Sequence, residues 1–148
     1  MAGHVRRALV LVMVAVIALS LVACGGSSKA DYAKSVRGIF NPLDKKLSGL
    51  NTQISQQTSA QDKAATITNA QKAISDAATK LEGLKPPSDV KAEHDKFVAA
   101  VKAFGGDLGP IGDAVRAGDQ QGAQQGFAKL QSDGQAVKDA QDALEKKL

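Results

Sequence analysis

The chain has 148 residues, 43% of them hydrophobic and 23% charged, and its 19 basic and 15 acidic side chains give a net charge of +4. A single cysteine excludes an intrachain disulfide and a cysteine-built metal site. Charges of both signs are interspersed without a basic block, and four Phe and one Tyr are the only aromatics, which argues against a nucleic-acid partner.

The first segment carries Arg6-Arg7, then an uncharged run of 16 residues from Ala8 to Ala23. A basic start, an apolar stretch and small residues at the end form the order of a secretory signal. The run is shorter than the roughly 20 residues a membrane-spanning helix needs. It closes on Leu21-Val22-Ala23-Cys24. These four residues resemble the lipobox of bacterial lipoproteins. The resemblance implies a diacylglyceryl group on the Cys24 thiol, cleavage before Cys24, recognition through Leu21, Val22 and Ala23, and a membrane anchor on the extracytoplasmic face. It also implies that residues 1–23 leave, which lowers the charge to 17 basic against 15 acidic residues, or +2. Residues 24–30 then read as the acylated cysteine and a flexible Gly/Ser tether, and residues 31–148 as one domain.

Apolar residues recur every three or four positions in four segments of that domain, the pattern of helices with one buried stripe. The first stripe is Val36, Phe40, Leu43, Leu47, Leu50 and Ile54. Pro42 lies within it and predicts a kink, or alternatively a restart capped by Asn41. Ser59, with Asp62 three residues on, predicts the cap of a second helix with stripe Ile67, Ala70, Ile74, Ala77, Leu81 and Leu84. Lys85-Pro86-Pro87-Ser88 ends it. Ser88 or Asp89 is the expected cap of the third helix, with stripe Val90, His94, Phe97, Val101, Phe104, Leu108, Ile111 and Val115, kinked at Pro110. Gly118-Asp119 predicts a tight reversal into the fourth, with stripe Ala123, Phe127, Leu130, Gly134, Val137, Gln141 and Leu144. Gly122, Gly126 and Gly134 mark this helix as the least secure, at about 1 kcal/mol each relative to Ala. Short connections make the expected fold an all-α, antiparallel up-down-up-down four-helix bundle.

No catalytic or metal-binding constellation emerges. Di-iron bundles need Glu-x-x-His on two helices, whereas Glu93 adjoins His94 and the other glutamates are Glu82 and Glu145. Cys-x-x-Cys-His is absent, and both methionines precede Cys24. No cofactor is therefore expected beyond the lipid on Cys24. The stripes place two polar residues, His94 and Gln141, at one level of the bundle, with Tyr32 near it. The reading is a buried polar cluster of Tyr32, His94 and Gln141 that fixes register. A sharper alternative is a ligand contact or pH-sensitive latch.

The segment Leu81-Glu82-Gly83-Leu84-Lys85-Pro86-Pro87-Ser88-Asp89-Val90-Lys91-Ala92-Glu93-His94-Asp95-Lys96-Phe97-Val98 is similar to one in small, uncharacterised helical-bundle lipoproteins and secreted proteins of bacteria. That resemblance implies a helical bundle and no activity. The expectation is a non-catalytic binding or interaction module of the cell envelope. Its partner would be an envelope protein, or alternatively a small apolar ligand or lipid carried between the helices.

Overall fold

The computed structural model describes residues 27–148, and every regular element among them is an α-helix. They are α1 (Ser27–Ser48), α2 (Leu50–Gln56), α3 (Ala60–Glu82), α4 (Lys91–Ala117) and α5 (Gln120–Glu145). With α1 and α2, joined at Gly49, taken as one arm, the four long segments pack as the expected four-helix bundle. The helix α4 packs along both α3 and α5, while α1 and α2 lie on α3.

The buried positions follow the stripes. Ile67, Ala70, Ile74, Ala77 and Leu81 of α3 meet Phe97, Val101, Leu108 and Ile111 of α4, joined by Leu130, Val137 and Leu144 of α5 and by Phe40 and Leu43 of α1. Phe40 and Phe97 pack ring on ring, centroids 5.4 Å apart. Fully burying one such side chain contributes about 1.5–3 kcal/mol.

Caps set four of the helix ends. The Ser59 hydroxyl accepts from the Asp62 backbone N–H at 3.0 Å and donates to the Asp62 carboxylate. At the other reversal Gly118 takes φ 71°, a left-handed conformation that favours glycine, and the Asp119 carboxylate accepts from the Gly122 N–H at 2.9 Å. Gly83 closes α3, its N–H bonded to Thr79 O.

Four expectations are corrected. First, α1 begins at Ser27, so residues 27–30, expected as tether, form its first turn. Second, the first helix is interrupted at Gly49, while the helices bearing Pro42 and Pro110 run through both prolines, so the alternative restart at Asn41 does not occur. Third, neither Ser88 nor Asp89 caps α4. The Val90 N–H bonds Pro87 O at 2.9 Å and Val90 takes a helical conformation, which buries its side chain completely. Asp89 is left facing Lys29. Fourth, α5 is continuous over 26 residues and its stripe runs on to a buried Leu144. Its glycines allow close approach: a Cβ on Gly126 would stand 2.5 Å from Ile111 Cγ1.

Lys29 ties one end of the bundle together. Its Nζ donates to Lys147 O at 2.6 Å and pairs with Asp89 at 2.7 Å. The first turn of α1, the α3–α4 turn and the C-terminal residues thus share one end, and the Gly118-Asp119 turn lies at the other.

Candidate functional site

Two of the three expected cluster residues meet. The Tyr32 hydroxyl lies 2.7 Å from His94 Nδ1, and the rings stand edge to face with centroids 5.7 Å apart. Tyr32 is 4% and His94 3% exposed, so the bond is shielded from water. Tyr32 sits in the second turn of α1 and His94 in the first turn of α4, on helices that run parallel across the bundle. The pair therefore links two non-consecutive helices. Gln141, the third residue, is half-buried on α5 and donates through Nε2 to Glu145 Oε1 at 2.9 Å.

Burial sets the electrostatics of the pair. It pushes the Tyr32 phenol up to about 12, with the nearby Asp95 charge adding to the effect. It pushes His94 below its ordinary value, opposed by Asp95 and reinforced by Lys91. His94 is thus neutral at physiological pH. With its proton on Nε2, Nδ1 accepts from the phenol. A neutral imidazole engaged by a buried phenol is suited to holding two helices in register.

A second cluster went unread because its members are ordinary surface residues in sequence. Lys129 of α5 donates to Asp107 of α4 and, at 2.8 Å, to Asp133 one turn along. Asp107 Oδ2 is buried without a hydrogen bond. Two carboxylates beside one lysine resemble an acid–base dyad in outline. The hydrogen bond from Lys129 holds Asp133 below the usual carboxylate range, and Asp107 and then Asp133 raise Lys129. Lys129 thereby closes the α4–α5 seam, as Lys102–Glu82 does for α3–α4 at 2.6 Å.

The third feature is a groove of about 380 Å³ between the α1–α2 arm and α3. Lys46, Leu47 and Leu50 line one wall and Ala70, Lys72 and Ala73 the other. None of the four phenylalanines lines this groove.

Leu21, Val22, Ala23 and Cys24 lie outside the described residues. No group of three or more potential metal ligands occurs among the described residues, and no helix there is long and apolar enough to cross a membrane. Comparison with family models, curated proteins and solved structures finds no match.

Proposed function

We propose that this protein is a lipoprotein anchored at Cys24 to the extracytoplasmic face of a membrane, where it acts as a non-catalytic binding or interaction module. The observation that carries this reading is the sequence Leu21-Val22-Ala23-Cys24 closing a basic and then apolar segment. Two acyl chains on Cys24 would anchor it stably, at about 0.8 kcal/mol per buried CH₂. Because α1 begins at Ser27, only Gly25 and Gly26 separate it from Cys24. At about 3.3–3.6 Å per residue, the bundle would sit within roughly 10 Å of the acylated residue. The end clamped by Lys29 would then face the membrane and the Gly118-Asp119 turn would face away.

The non-catalytic part rests on how the ionisable groups are used. His94, the one histidine after residue 26, is taken up by Tyr32, and the half-buried carboxylate of Asp107 is held by Lys129. A carrier of a small apolar ligand in the bundle interior is the second reading. The Phe40–Phe97 contact gives it less support, since those rings fill the space between α1 and α4.

Metabolic labelling with a tagged fatty acid tests the anchor. The wild-type chain should take up label and lose about 23 residues' mass, and Cys24→Ser should do neither. Label on the Cys24→Ser chain would defeat the proposal. Native mass spectrometry of the membrane-extracted protein would then read any co-purifying partner.

A further inference from the structure

The geometry points to the groove between the α1–α2 arm and α3 as a binding site for a small amphiphilic anion, a carboxylate head on a short acyl chain. The inference stands apart from the anchor at Cys24.

Three observations carry it. The first is charge. Each of the other two long seams is crossed by an ion pair, Lys102–Glu82 between α3 and α4 and Lys129–Asp107 between α4 and α5. The groove on the α1–α3 seam instead holds two lysines, Lys46 on the α1 wall and Lys72 on the α3 wall, and one acid, Asp76. Neither lysine has an ion pair among the described residues. Asp76 stands one turn beyond Lys72 and lies outside ion-pair distance of both. The two exposed, unpaired ammoniums on opposite walls outnumber the Asp76 carboxylate and favour an anionic head.

The second is the floor. Leu47 and Leu50 are only half-buried, although they continue the core stripe, and Ala73 beside them is half-buried too. A short acyl chain laid along them would cover the apolar surface that the arm leaves open. An inorganic anion would leave that surface in water. The third is size: about 380 Å³ falls at the low end of the range, roughly 300–1,000 Å³, that small-ligand sites occupy. Head and tail together thus define the class. The ammoniums choose the sign of the head, and the leucines and alanine choose an aliphatic tail.

Octanoate is the probe, with octylammonium as the chain-matched ligand of opposite charge. The full chain, methyl-labelled at Leu and Ala and held in nanodiscs of zwitterionic lipid, is titrated with each and followed by NMR. Octanoate should give saturable shifts at the Leu47, Leu50 and Ala73 methyls, and octylammonium should bind there at least tenfold more weakly. The double variant Lys46→Gln/Lys72→Gln, changed only at exposed positions, should bind octanoate at least fivefold more weakly with its other methyl signals in place. Absent or unsaturable shifts at those three methyls would overturn the proposal. So would equal affinity for octylammonium, or octanoate binding unchanged in the double variant.

Discussion

The Tyr32 hydroxyl and His94 Nδ1 face each other out of water, so removing one partner costs more than the bond contributes. A buried hydrogen bond adds about 0.5–1.5 kcal/mol net, whereas a buried group left without a partner costs about 1–3 kcal/mol. Tyr32→Phe should therefore lower the urea-unfolding free energy by about 1–3 kcal/mol. The double variant Tyr32→Phe/His94→Leu should lose less than the two single losses combined, because no orphan nitrogen remains. The same pair makes stability depend on pH. Burial holds His94 below its ordinary value, so as pH falls below about 6.5 the unfolded chain takes up a proton before the folded one does. Stability should then be full above about pH 6.5 and decline toward pH 5, by at most about 1.4 kcal/mol per pH unit. His94→Gln should flatten that slope in urea titrations at each pH. Asp89 and Asp133, both held below the usual carboxylate range, act in a separate window. Their contribution is present above about pH 4 and is lost as pH falls further. Two adjacent glycines give a sharper contrast. A Cβ on Gly105 would stand 2.8 Å from Ile74 Cγ2, while one on Gly106 meets nothing within 4 Å. Gly105→Ala should destabilise by about 1–3 kcal/mol through overpacking, and Gly106→Ala should stabilise by about 0.5–1 kcal/mol, both read as shifts in thermal midpoint.

At the scale of the element, the α1–α2 arm is where pattern and structure diverge most. Its apolar stripe continues through Gly49 without a lapse, so periodicity alone reads one helix from Val36 to Ile54. Pro42 looked the more disruptive residue. It is exposed, and α1 passes through it. Gly49 keeps helical angles, φ −87° and ψ −6°, and a Cβ there would make only an ordinary 3.6 Å contact with Gln53. Gly49→Ala should therefore join α1 to α2 and stabilise by about 0.5–1 kcal/mol, visible as slower amide exchange at Leu50 and Thr52. The caps show what local chemistry makes legible. Ser59, Gly118 and Asp119 were readable because each satisfies backbone groups within three residues of itself. Ser88 and Asp89 were misread because tertiary packing decides that turn, which winds early to bury Val90. The glycines of α5 were misjudged for a related reason. Propensity counts what Gly126 costs its own helix, while the space it leaves for Ile111 is visible only with α4 in place.

For the molecule as a whole, four helices and their order were legible, because short connections between amphipathic segments leave few topologies open. The meeting of Tyr32 with His94 was also legible, since counting helical rise from the Gly118 turn sets His94 level with Gln141, and carrying that layering around the bundle brings Tyr32 to the same level. The groove was not. It depends on how far the α1–α2 arm stands from α3, and no single stripe encodes that distance. Nor was the uneven packing, in which α4 is flanked by α3 and α5 while the arm is held chiefly by α3. The Lys29 clamp carries a practical consequence for handling the protein. Because Lys29 Nζ reaches Lys147 O, a tag fused after Leu148 emerges beside the start of α1 and crowds whatever that end adjoins. A peptide inserted between Gly118 and Asp119 would be displayed at the opposite pole. That pole is about 40 Å away, the length of 27-residue α4, which makes the turn the better place for a reporter.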